Sequence, residues 1–213
     1  MRKYFIEMIA TLAAAATVLY ALVIRPWHLR WGATAEEVAA KLPGDDRVAQ
    51  PFLNATRAVT VAAPPAAIWP WLLQMGYRRG GWYSYDWLDN DRVPSAARVV
   101  PELQHLQVGD LMLTDAQHGF TVVEMEPNLH LVLFIDEALG QISSAIVLDP
   151  AEADRTRLIV RLRARFRPSL RGLLFYAVFE PGDFVMMRKM MLTIKQRAEA
   201  RAAKAAAQAA ETA

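Results

Sequence analysis

Apolar and polar positions along the chain follow three successive patterns. Residues 5–24, FIEMIATLAAAATVLYALVI, are an apolar run with one charge, Glu7. A helix of that length rises about 30 Å, the thickness of a bilayer's hydrocarbon core. From residue 55 the pattern shortens to period two. ATRAVTVAA, LQVGDLMLT, FTVVEMEPNLHLVLFID, SSAIVLDP and RTRLIVRLRARF read as strands joined by short turns, including Pro127-Asn128 and AEAD. Consecutive strands with tight turns predict an antiparallel sheet. The third pattern is helical. Residues 184–210 hold neither Gly nor Pro, and Phe184, Met187, Met191, Ile194 and Ala198 share one face. Asp183 is placed to cap this helix.

Shorter signals fill the intervals. In residues 32–54, a connector, TAEEV predicts one helical turn with Thr34 as N-cap and Glu37 at the capping-box position. PPAAIWPWLLQMG (64–76) predicts a short helix distorted by Pro70 and ended by Gly76. YSYDWLDN predicts a second short helix, and LRGLLFYAVFE stays ambiguous.

Composition changes this picture in two places. Arg2 and Lys3 precede the apolar run, and Arg25, Trp27, His28, Arg30 and Trp31 follow it, as expected at headgroup layers. We therefore expect a membrane anchor with flanks over residues 1–31. Cleaved signal peptides and buried helices also have apolar runs, but VIRPWHLRW is a poor cleavage site. Basic residues at both ends leave the orientation open. Of 24 basic and 22 acidic residues, four basic and one acidic fall in residues 1–31, leaving 20 and 21 in the remainder. That balance does not point to nucleic acid as a partner. The chain has no cysteine, which excludes disulfides, thiolate metal sites and thiol nucleophiles.

The stretch GYRRGGWYSYDWLDN (76–90) concentrates the candidate chemistry. Asp86, Asp89 and Asp91 do not have calcium-loop spacing, and pairing with Arg78 or Arg79 is the expected role. The four histidines, 28, 105, 118 and 130, show no metal-binding spacing. No metal and no cofactor are expected. Arg157, Arg161, Arg163, Arg165 and Arg167 share one strand face by parity. They are expected to pair with neighbouring acids such as Glu124 and Glu126, or to offer an anionic-lipid surface through Arg161, Arg163 and Arg165.

RWGAT, LPGDD, APPAAIWPWLLQMGYRRGGWYSYDWLDN, VVPELQHLQVGD, TRLIVR and EPGDFVMMRKMMLTIKQRAE span about residues 31–200. In these stretches the chain resembles bacterial membrane-anchored members of the SRPBCC superfamily, the polyketide cyclase/dehydrase-like relatives of START domains and the birch-pollen allergen. The resemblance implies an α+β helix-grip fold over residues 55–200, a curved antiparallel sheet around the long C-terminal helix. Residues 201–213 would be an Ala-rich helical or frayed tail. It also implies single-pass residence in a bacterial inner membrane and an apolar cavity, with aromatics either lining it or plugging it. The expected lining is Trp71, Met75, Trp82, Tyr85, Trp87, Phe184, Met187 and Met191. Three functions follow: non-catalytic binding of a hydrophobic small molecule or lipid, a cyclase- or dehydratase-like enzyme using Tyr85, Asp86 or His105, or a protein-interaction module without ligand. Protein partners are left open.

Overall fold

The computed structural model describes residues 2–138, 140–152 and 154–212, apart from the side chains of residues 2, 173 and 212. Helix α1 (Arg2–Leu19) continues through a π-helical turn (Tyr20–Ile24) into α2 (Arg25–Leu29). Lys3–Leu29 is long and apolar enough to cross a membrane, a test that signal sequences and core helices also pass. Helix α3 (Ala35–Ala39) carries the expected capping box: the Glu37 amide donates to the Thr34 hydroxyl, and the Glu37 carboxylate accepts from the Thr34 amide.

Six strands follow: β1 (Leu53–Val61), β2 (Leu111–Leu113), β3 (Gly119–Glu126), β4 (His130–Glu137), β5 (Gly140–Ala151) and β6 (Arg155–Phe166). They form one antiparallel sheet in the order β1-β6-β5-β4-β3-β2. Ala153, within the turn expected between β5 and β6, lies outside the described residues. Helices α4 (Pro65–Leu73) and α5 (Asp86–Asp89) stand between β1 and β2. The inner sheet face and α6 (Leu170–Thr212) enclose a core that includes Leu158, Val160, Met191 and Ile194. This is the expected α+β helix-grip arrangement.

Helix α6 corrects one expectation. It starts at Leu170, well before Phe184, and carries Pro181 within it. Proline removes one backbone donor, here the one aimed at the Ala177 carbonyl, so an anchored helix passes through at limited cost. Phe175, Tyr176 and Phe179 anchor that early part by packing on Phe166 at the end of β6. Asp183 consequently sits inside the helix. It accepts from Arg57 Nη1 at 2.6 Å instead of capping.

The outer sheet face holds a second correction. The β6 arginines do not pair with Glu124 and Glu126, which flank His130 instead. Arg157, Arg161 and Arg163 find their partners in the connector folded across the sheet, while Arg167, just past β6, pairs with Asp136 on β4 at 3.8 Å. Arg157 makes a two-pronged pair with Glu37. Arg161 is 3% exposed and donates to Thr56 Oγ1, Asp45 Oδ2 and the carbonyls of Glu37, Val38 and Ala40. It thereby satisfies last-turn carbonyls of α3 that have no partner within that helix. Gly32 makes the entry to this segment possible: its φ is +71°, and a Cβ there would lie 2.2 Å from the Ala58 carbonyl oxygen.

Candidate functional site

Between sheet and helix lies a cavity of about 380 Å³. Phe120, Leu133, Ser144, Ile146 and Leu162 line it from the sheet. Phe179, Asp183, Met186, Met187 and Met190 line it from α6. Trp82, Ser84, Leu88, Asp89 and Thr114 close one side. Leu88 and Val178 belong to the lining and are themselves exposed, so the cavity opens between α5 and the early part of α6.

Local sequence explains how the closing loop is held. Gly81 takes φ +76°, and a Cβ there would lie 2.2 Å from Ser95 Oγ. Only a glycine lets the loop run this close to residue 95 without strain. Asp86 accepts from the amide and hydroxyl of Ser95 and pins the start of α5 to the same loop. The Trp82 indole donates to the Leu113 carbonyl at 3.1 Å and meets Phe120 edge-on. Trp82 is therefore a fixed wall with one apolar face toward the cavity.

Of the eight residues expected to line a cavity, Trp82 and Met187 do so. Trp71, Met75 and Met191 are buried in the solid core. Trp71 packs against Tyr83 and under the Arg197 guanidinium. Tyr85 lies under Lys189 on the outside of the loop, and Trp87 is 67% exposed beside it. Phe184 packs instead against Trp27, His28, Trp31 and Arg57. The face read from 3, 4 spacing is real, but the cavity touches only the part of it at Met187, along with Met186 and Met190 from its flank. Among the possible proton carriers, Asp86 is committed to Ser95 and His105 is exposed on a loop, and neither these nor Tyr85 lines the cavity. Arg161 is buried, Arg163 is ion-paired with Asp45, and Arg165 is exposed. Hence two of the three arginines read as a membrane surface are already held by the connector.

Two of the polar residues at the cavity, Asp89 and Ser84, were not among the expected lining, and Asp89 pairs with neither Arg78 nor Arg79, its expected partners. Asp89 is 8% exposed, and neither of its carboxylate oxygens has a hydrogen-bond partner. Burial, reinforced by the neighbouring Asp86 carboxylate, pushes its pKa up to about 6. Ser84 is 5% exposed and its hydroxyl is likewise unpartnered. Asp91, by contrast, fills the expected role and pairs with Arg78 at 2.9 Å. The described residues contain no cluster of three or more His, Asp or Glu side chains able to hold a metal ion.

A separate buried network ties α1 and α2 to α6. Glu180, 2% exposed, accepts from Tyr20, from Tyr176 and from Arg25, which approaches at 2.8 Å. Burial alone would raise the Glu180 pKa, but the donated hydrogen bonds outweigh it and hold the carboxyl below its ordinary value. His28 Nε2 lies 3.6 Å from the same carboxylate. Arg57, wholly buried on the inner face of β1, adds a bond to the His28 carbonyl beside its pair with Asp183.

No protein-family model and no curated protein matches the chain. Among solved structures it is similar to DynU16, from the dynemicin biosynthetic locus, at 17% identity and TM-score 0.42, over 67% of this chain and 47% of that one. The chain thus spans about half the length of DynU16. Protein MLL2253 from Mesorhizobium loti matches at 17% identity and TM-score 0.40, over 67% and 95% of the two chains. The Zhui aromatase/cyclase from Streptomyces sp. R1128 matches at 16% and 0.41, over 70% and 94%. The helix-grip description rests on this chain's own strand order and its α6, independently of those likenesses.

Proposed function

We propose that the protein holds a hydrophobic small molecule or lipid in the cavity at a membrane surface, without transforming it. The carrying observation is the cavity itself: aromatic, thioether and aliphatic side chains make most of its lining, the polar ones are Ser84, Asp89, Thr114, Ser144 and Asp183, and none of Tyr85, Asp86 and His105 lines it. A binding site needs an apolar pocket with a few orienting groups, whereas catalysis needs several converging ones. Three methionines of α6, Met186, Met187 and Met190, line the cavity and suit a pocket that adapts to its occupant. The apolar helix ahead of the domain serves as a single-pass anchor. Its end is joined to α6 at Glu180, next to the cavity-lining Phe179, which supports an opening near the bilayer.

The test is to purify the full-length protein in mild detergent and identify co-purifying small molecules by mass spectrometry. Wild type is expected to carry an apolar compound that Met186→Trp, which fills the cavity, excludes. Equal recovery from both proteins, or from neither, refutes the proposal. One observation favours a second reading, a cyclase- or dehydratase-like enzyme: Asp89, held near neutrality, has a pKa suited to proton transfer. That reading requires Asp89→Asn to abolish conversion of a bound compound while leaving its binding intact.

A further inference from the structure

A second cavity, of about 330 Å³, lies beside the first. Thr114, Phe120 and Phe179 line both, so these three side chains stand between the two. The sheet explains why the cavities adjoin. On β4 the first touches Leu133 and the second Ile135; on β5 they touch Ser144 and Ile142. Leu133 faces Ser144, and Ile135 faces Ile142, across the β4–β5 ladder. The two pairs are one step apart on the same sheet face, about 7 Å along the strands. Helix α6 repeats the order: Phe175 lines the second cavity, Phe179 both, and Met186, Met187 and Met190 the first. The cavities are consecutive chambers of one groove beneath α6. Their mouths differ in character. The first opens past the exposed Leu88 and Val178. The second has Asp115, His118 and Glu137 in its wall, all of them well exposed, with His118 3.0 Å from Asp115 and 3.8 Å from Glu137.

We infer that the two chambers form one site for a single-chain amphiphile, with its hydrocarbon chain in the first and an uncharged polar end in the second. The inference deepens the binding function proposed above and rests on it. A groove that is apolar at one mouth and charged at the other matches a molecule with the same asymmetry. The first chamber, at about 380 Å³, is near the small end of ligand pockets and suits one chain rather than the two of a diacyl lipid. The chain would lie among Leu133, Ile146, Leu162 and Met187 and pass between Phe120 and Phe179. Phe166 and Phe175 pack on Phe179 at 5.6 and 5.3 Å and set the position of that partition. In the second chamber, two carboxylates against one imidazole disfavour an anionic end. Four phenylalanines make much of the remaining wall, so a hydroxyl-bearing end loses less solvation there than a charged one. A glycerol ester has this form.

The experiment compares monocaprin, the glycerol ester of decanoic acid, with decane, which has a similar chain and no polar end. Each is equilibrated with the full-length protein in lipid nanodiscs and with empty nanodiscs, and the excess held by the protein is measured by mass spectrometry. Uptake by the lipid itself then cancels. Wild type is expected to hold monocaprin about tenfold more tightly than decane, the scale of one or two hydrogen bonds. Ile142→Trp, which fills the second chamber, should remove that tenfold advantage and change decane by less than about twofold. Ile135→Trp fills the same chamber from the neighbouring strand and should do likewise. Met186→Trp, which fills the first chamber, should abolish binding of both. Monocaprin held equally by wild type and Ile142→Trp overturns the inference while leaving the binding function standing. So does an equal loss of the two probes in Ile142→Trp. If wild type holds neither probe, or Met186→Trp keeps both, the binding function falls and the inference with it. Should neither isoleucine variant fold, the wild-type comparison decides: no preference for monocaprin overturns the inference.

Discussion

Asp89 shows how much a single residue's environment departs from its sequence. Three aspartates within six residues looked equivalent, and pairing with Arg78 or Arg79 was the economical expectation. It holds for Asp91. Asp86 secures the loop and Asp89 is enclosed at the edge of the cavity. A helix of four residues has no periodicity from which to read which side chain faces in. The displaced pKa makes this testable. Folding raises the Asp89 pKa from its ordinary 3.8 to about 6, so between these values the native state holds more proton than the unfolded state. Stability from this group therefore falls as pH rises through that window. Asp89→Asn should exceed wild type in stability by a margin that is small at pH 4 and grows to about 2 kcal/mol above pH 6. Unfolding of the full-length protein in micelles, followed by tryptophan fluorescence across pH, measures the difference. A margin independent of pH would mean that Asp89 is not desolvated.

At the level of elements, strands were the easiest to read. Their alternation and turn residues placed β1, β3, β4, β5 and β6 close to where they fall, because apolar side chains recur at every second position on the inner face. Two features were hidden for physical reasons. Pro181-Gly182 imitates a helix boundary, and packing of Phe175 and Phe179 on Phe166 overrides it. Arginine parity on β6 located the charged face, but the acids that neutralise it are more than a hundred residues away in sequence. Arg161 and Arg165 thus look alike in the sequence and differ in the fold. Arg161→Ala should cost about 3–5 kcal/mol, since it removes the nearest cation from Asp45 and the side-chain donor from the Glu37, Val38 and Ala40 carbonyls at the end of α3. Arg165→Ala should change stability by no more than about 0.5 kcal/mol. Thermal melts of the two variants distinguish them, and similar losses would contradict the role assigned to the connector. Arg165, being exposed, should carry more of any attraction to anionic vesicles than Arg161.

For the whole molecule, the apolar run and the domain are joined by a buried hydrogen-bonded network at Glu180, which no local pattern discloses. Tyr20, Arg25, Tyr176 and Glu180 are spread over about 160 positions of sequence, and only folding brings them together. This junction fixes how the domain stands on its anchor. The early part of α6, which also holds Glu180, exposes Leu170, Leu174 and Val178 at four-residue spacing. With residues 5–24 in a bilayer, that stripe and the cavity opening at Val178 should meet the headgroup layer. The turn after β5 should stand well clear of it, since twelve strand residues extend about 40 Å. The chain lacks cysteine, so single probes can be placed at will. An environment-sensitive fluorophore on Val178→Cys should shift to the blue in nanodiscs and be quenched by spin-labelled lipid. The same fluorophore on Glu152→Cys should show neither effect. Adding Glu180→Ala to the Val178→Cys protein should weaken the quenching, because the domain is then free to tilt about its anchor. Strong quenching at residue 152, or none at 178, would place the cavity away from the membrane and leave its ligand to enter from water.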